Sequence, residues 1–261
     1  MQFVYLVQGS RETLPRQAFG SAPFYTLCYQ GECHVEGAAA CLHSTTASWA
    51  EGRNLLLAAA RQGHPDADYY VFCDDDVEFL TGDFAAFEAA LATTRPAIGM
   101  PLMPKARIGA ALDDRLPVQR ALDIDEQMYA VHRSVIGTIG IAPLDTQNDH
   151  ISWYVASLIF EYATSRLLSD RSHQYNTIEL VNNGHIWETS ETLYTHSRGT
   201  PAEFVPVFAA RAADLFGHFD ERVIEQFMPP LDGPQRAEYD RERRAHLAGL
   251  AQFDGSPVEP G

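Results

Sequence analysis

Tyr69-Tyr70-Val71-Phe72-Cys73-Asp74-Asp75-Asp76-Val77-Glu78-Phe79 is the stretch on which the fold turns. Five apolar residues run directly into three aspartates. A continuous apolar run of aromatic and β-branched residues predicts a central strand buried on both faces. The aspartates then stand at its C-terminal end, where open α/β sheets bind their ligands. Three adjacent carboxylates repel one another and are costly to gather without a cation. Hard oxygen ligands of this kind suit Mg²⁺ or Mn²⁺ together with substrate phosphates. Alone, the same three residues also read as a solvated acidic turn.

Working outward, the flanks repeat one unit. Phe3–Val7 and Phe24–Tyr29 are apolar runs of strand length. A helix is expected from Trp49, with Thr45, Thr46 or Ser48 as its cap and Leu55, Leu56, Ala59 and Ala60 as its apolar stripe. Gly52 costs that helix roughly 1 kcal/mol against alanine, so it must pack closely or admit something to the backbone. After the aspartates, Thr81 or Asp83 can cap a helix facing inward through Phe84, Phe87 and Leu91. Ala97–Pro101 is the next strand. Alternating strands and helices predict an α/β fold with a mostly parallel central sheet flanked by helices.

The second half is read more coarsely. Residues 103 to 124 are irregular, and Gln127–Arg133 is a strand. Trp153, Ala156, Phe160, Ala163 and Leu167 recur at helical spacing, with Asp149 or Ser152 as the expected cap. Residues 177 to 182 form a strand and 192 to 196 a shorter one. Thr200-Pro201-Ala202-Glu203 has the capping residue, first-turn proline and capping-box glutamate of a helix start. A charged helix is expected from Pro234 to about Leu250, then a disordered tail. The expected organisation is one catalytic domain over 1–230, made of a 1–102 half and a 103–230 half, followed by 231–261.

Composition narrows the function. A net charge of −16 over 261 residues argues against a nucleic-acid partner. Lys105 is the sole lysine, which disfavours chemistry needing a second. No apolar run reaches the roughly 18 residues needed to span a bilayer, and the first residues lack the basic start of an export signal. Cys28, Cys33, Cys41 and Cys73 match no zinc spacing. A reduced, cytoplasmic protein is expected, touching the inner face of a membrane only through an acceptor or partner. A disulfide among the first three cysteines is the less favoured alternative.

The order of motifs resembles the GT-A fold of nucleotide-sugar-dependent glycosyltransferases, a Rossmann-type sandwich. Asp74-Asp75-Asp76 fits its DXD motif. Gly52-Arg53-Asn54 is similar to the Gly/Ala-Arg-Asn element before it, and Asp125–Arg133 to the strand after it. The resemblance spans about residues 3 to 200. It implies that Asp76, with Asp74, ligates Mn²⁺ or Mg²⁺, and that Asp74 and Asp75 contact the ribose or metal-bound water. His196 or His185 would complete the metal shell, and Arg53 and Asn54 would hold the nucleotide. Asp149 lies where inverting members place the base that deprotonates the acceptor hydroxyl, with Asp145 as the fallback. Trp187 is the better aromatic candidate for acceptor contact, Trp153 for core. The implied reaction moves a sugar from a nucleoside-diphosphate sugar to a glycan or other carbohydrate hydroxyl, as in polysaccharide biosynthesis. Two readings compete. One is a non-catalytic domain that binds nucleotide sugar or carbohydrate. The other is a phosphotransferase of the haloacid dehalogenase type, which wants its DXD on the first strand.

Overall fold

The structure is a computed structural model, and it describes residues 1–9, 19–29, 34–103, 115–121, 126–182 and 201–220. His185, Trp187, His196, Lys105, Cys33 and the expected helix from Pro234 lie outside the described residues.

Nine strands form one sheet: β1 (Phe3–Gly9), β2 (Phe24–Cys28), β3 (Ala40–His43), β4 (Tyr69–Asp74), β5 (Val77–Thr81), β6 (Ile98–Leu102), β7 (Val118–Arg120), β8 (Met128–His132) and β9 (Ser172–Asn182). Their order is β3-β2-β1-β4-β8-β6-β9-β5, with β7 also paired to β9. The helices are α1 (Trp49–Gly63), α2 (Phe84–Thr94), α3 (Tyr154–Tyr162) and α4 (Pro201–Phe216). This is an α/β fold with a central sheet flanked by helices. Parallel pairing runs through β3-β2-β1-β4. Beyond β4 the sheet is mixed, because β8 returns antiparallel between β4 and β6. Strands from both sides of residue 102 share the one sheet.

The quoted apolar run behaves as its composition demands. Tyr70 and Phe72 enter one core, beneath α1 and α3. Tyr69, Val71 and Cys73 enter the other, with Phe87 and Leu91 of α2. β1 divides in the same way, Val4 and Leu6 against Tyr5 and Val7. Alternate side chains of a strand point to opposite faces, so an unbroken apolar run satisfies both cores at once. A third cluster joins Leu158 and Tyr162 of α3 to Phe204 and Phe208 of α4.

Three expectations are corrected. The buried stripe of α1 is Leu56, Leu57 and Ala60, while Leu55 is exposed. The stripe of α3 fails at Leu167, which is exposed. Residues Ala163–Leu167 wind as a π-turn, which widens the helix and rotates Leu167 off the apolar face. Cys28 is disulfide-bonded, against the expectation of reduced cysteines, whereas Cys41 and Cys73 are free thiols. Among the described residues no helix is long and apolar enough to cross a membrane.

Candidate functional site

The site is built around the N-terminal turns of α1. Ser48 caps the helix by accepting the Glu51 amide, and Glu51 returns the contact to the Ser48 amide, a complete capping box. Capping by Ser48, among three candidates, sets which side chains the first two turns present. Gly52 faces the buried side chain of Gln8, at the end of β1. A methyl group there would collide with the Gln8 carboxamide, so Gly52 packs closely. The Gln8 Nε2 donates to the Trp49 carbonyl at 3.0 Å and to the Tyr29 hydroxyl.

Arg53, one residue on, is completely buried. Its Nη2 donates to Asp74 Oδ1 at 2.7 Å and to the Glu126 carbonyl at 2.8 Å. Its guanidinium lies 5.2 Å from the Trp49 ring, 5.4 Å from Tyr129 and 5.7 Å from Phe72. Burial works against the Arg53 charge, but Asp74, Tyr129 and Tyr29 more than offset it and raise its pKa. The planar guanidinium can stack and pair at the same time, which a lysine could not do. In this position Arg53 orients Asp74.

The three aspartates do not behave as one unit. Asp74 closes β4, and its amide donates to the Gln127 carbonyl. Asp75 donates its amide to the Gln8 carbonyl, and its carboxylate lies directly over Gly9. Any side chain at residue 9 would occupy that place. Asp76 is half-buried in the turn between β4 and β5. Among the described residues, no three His, Cys, Asp or Glu side chains converge as a metal-binding group. Asp74 is paired with Arg53, and the Asp75 carboxylate stands over Gly9.

Asn54 is engaged elsewhere. Its Nδ2 donates to the Leu144 carbonyl at 2.9 Å, and its Oδ1 accepts the Leu144 amide at 2.8 Å. Both sides of its carboxamide hold the loop after Gly140, and that loop carries two more acids. Asp145 is buried and accepts two parallel bonds from Arg211 of α4, each 2.9 Å. Both Asp145 oxygens are thus engaged by one arginine, in the paired geometry that holds a carboxylate most firmly.

Asp149 differs. It caps nothing: α3 starts at Tyr154 after Trp153, without a side-chain cap bond. Instead its Oδ2 accepts the Ser48 hydroxyl, across 101 positions of sequence. Its Oδ1 is buried without a hydrogen-bond partner. Burial is the main cause that pushes its pKa up to about 6. The Ser48 hydrogen bond and His150 oppose that rise, and Glu51 and Asp145 add to it. A position near a helix N-terminus would lower its basicity, but desolvation wins here. Trp153 packs beside Trp49 at 6.3 Å between rings, a core contact.

The sequence reading passed over Gln8, Tyr29, Tyr129 and Arg211. Gln8 had a legible signal, since it stands at the C-terminal end of a strand parallel to β4. Arg211 had none, because its partner is 66 residues away.

No protein-family model matches the chain, and no curated protein matches it. Solved structures similar to it include three of low identity. A197 from STIV is 12% identical, over 69% of this chain and 84% of that one, with a TM-score of 0.43. A mycobacterial protein is 13% identical, over 88% and 75%, at 0.40. S. aureus TarS 1-349 in complex with UDP is 8% identical, over 95% and 71%, at 0.43.

Proposed function

We propose that this chain is a glycosyltransferase of the GT-A type. It moves a sugar from a nucleoside-diphosphate sugar to a carbohydrate hydroxyl with inversion, and Asp149 is the base. One observation carries the reading: α1 brings together, at the C-terminal edge of β1 and β4, a charge-paired carboxylate and a half-satisfied one. Asp74 is fixed by Arg53, and Asp149 is held by Ser48 of the same helix. A transfer of this kind needs a rigid polar anchor for the donor and a separate proton acceptor for the incoming hydroxyl.

In the step itself the acceptor oxygen attacks the anomeric carbon. Its proton passes to the Asp149 carboxylate. The bond between the anomeric carbon and the diphosphate oxygen breaks, and its electron pair leaves with the diphosphate. A carboxylate with a pKa of about 6 is ionised at neutral pH yet more basic than an exposed aspartate. Asp74, Asp75 and Asp76 are assigned to the donor side, Asp74 through the orientation that Arg53 gives it. Asn54 supports the loop that carries Asp149 and is not assigned to the ligand. A divalent cation on Asp76 with His185 or His196 belongs to the expectation drawn from the resemblance and is decided by the metal arm of the test.

The test is a panel of UDP-, GDP-, CMP- and dTDP-sugars, with and without Mn²⁺, read by binding and by slow hydrolysis. Binding and nucleoside-diphosphate release from one nucleotide class is expected. Phosphate release from simple monoesters, with no nucleotide-sugar binding, would overturn the reading in favour of a phosphotransferase. Binding without turnover, across many carbohydrate acceptors, would overturn it in favour of a binding domain.

A further inference from the structure

Ser48 has one proton and one task too many to be only a helix cap. Its oxygen accepts the Glu51 amide at 3.1 Å, and its own amide donates to Glu51 Oε2 at 2.9 Å. Both contacts fix the backbone and rotamer of Ser48. With its oxygen occupied as an acceptor, its hydroxyl proton is free to point outward, and it goes to Asp149 Oδ2. Asp149 therefore presents two unlike oxygens. Oδ2 is tied to a hydroxyl whose oxygen the capping box holds in place. Oδ1 is buried and has no donor. An unpartnered buried acceptor is costly, so the single bond from Ser48 weighs heavily in how the carboxylate is held.

We propose that Ser48 is a positioning residue for Asp149: the α1 capping box holds one carboxylate oxygen and with it fixes the orientation and proton affinity of the whole carboxylate. The catalytic meaning of this rests on the reading of Asp149 as the base, whereas the coupling of the two side chains does not. The arrangement also links the two parts of the site. Ser48 begins the same helix that carries Arg53, so the donor anchor and the base share one rigid support.

The charged groups facing Asp149 are Glu51 from α1, and Asp145 and His150 from its own loop, with Arg211 of α4 clamped on Asp145. They make opposite tests available. Ser48→Gly removes the hydroxyl at little cost to the helix, because glycine is a tolerable cap. Losing a donor to the ionised form raises a carboxylate pKa. Glu51→Gln keeps a capping-box residue but removes a like charge, which lowers it. Ser48→Thr keeps the hydroxyl and should restore the native behaviour.

The experiment is a ¹³C NMR titration of protein labelled at aspartate side-chain carboxyls, with the Asp149 signal assigned by its loss in Asp149→Asn. Thermal unfolding of each variant confirms folding. The midpoint of Asp149 is expected to rise by roughly one pH unit in Ser48→Gly, to return in Ser48→Thr, and to fall in Glu51→Gln. An unchanged midpoint in folded Ser48→Gly overturns the proposal. Slow hydrolysis of the donor found in the panel above is measured on the same variants. If the midpoints move as stated but no nucleotide sugar is turned over, the positioning role stands and the transferase reading falls. If turnover occurs and its pH profile ignores Ser48→Gly, the positioning role falls and the transferase reading stands.

Discussion

Asp74 and Asp149 are both held by the first two turns of α1, by partners of opposite character. Asp74 faces a buried guanidinium stacked among three aromatic rings. Asp149 faces a neutral hydroxyl and keeps one oxygen without a partner. The first arrangement fixes a charge permanently; the second leaves a carboxylate whose charge is open to negotiation. Asp145, four positions before Asp149, adds a third case, since an arginine fork engages both of its oxygens. A carboxylate's role here follows from what meets it and not from its place in the sequence.

The largest expected effect is on the anchored side. Asp74→Asn leaves Arg53 buried and charged with no counter-ion, and breaking such a pair costs about 3–5 kcal/mol. Denaturant unfolding should show that loss; a variant within about 1 kcal/mol of the wild type would mean that the pair is not the anchor described. Arg211→Met applies the same logic to Asp145. It should cost about 3 kcal/mol and loosen the loop that carries Asp149. Unchanged stability would mean that the fork does not hold that loop.

Asp149→Asn should move stability the other way. The folded pKa of Asp149, about 6, lies above the ordinary value of 3.8. Between those two values the unfolded chain has lost a proton that the folded chain keeps. Stability from this group is therefore present below about pH 4 and is lost as pH rises through about 6. Removing the ionisation should stabilise the protein by on the order of 1 kcal/mol at neutral pH, after allowance for the partial exposure of Asp149. The gain should vanish near pH 4. A gain independent of pH would separate the effect from the titration of Asp149.

Much of this was legible in the chain, and what was missed has a common physical cause. β1, β4 and α2 were readable because each satisfies its burial locally, through an apolar run or a helical stripe. β5 was missed because it is mostly exposed, with Leu80 facing outward and blurring the alternation. β7 is three residues long and borrows its order from β9. The aspartate run marked the C-terminal end of β4, but three adjacent carboxylates looked like one group. The structure sends them to separate partners because β4 ends among them: Asp74 is still on the strand, while Asp75 and Asp76 lie in the turn. Gly52-Arg53-Asn54 likewise divides by helix face, with Gly52 against Gln8, Arg53 against Asp74 and Asn54 against Leu144. Asp149 was readable as a residue worth attention but not as the partner of Ser48, because only the fold closes the distance between them.

The most direct measurement is the pH dependence of transfer, or of slow donor hydrolysis, in the wild type and in Asp149→Asn under saturating donor. The wild-type rate should climb through about pH 6 and then level. Asp149→Asn should bind the donor as tightly, turn it over about a hundredfold or more slowly, and lose the climb. A variant that keeps the wild-type rate and its pH profile would contradict the account, leaving Asp149 a latch between its loop and α1 and no more.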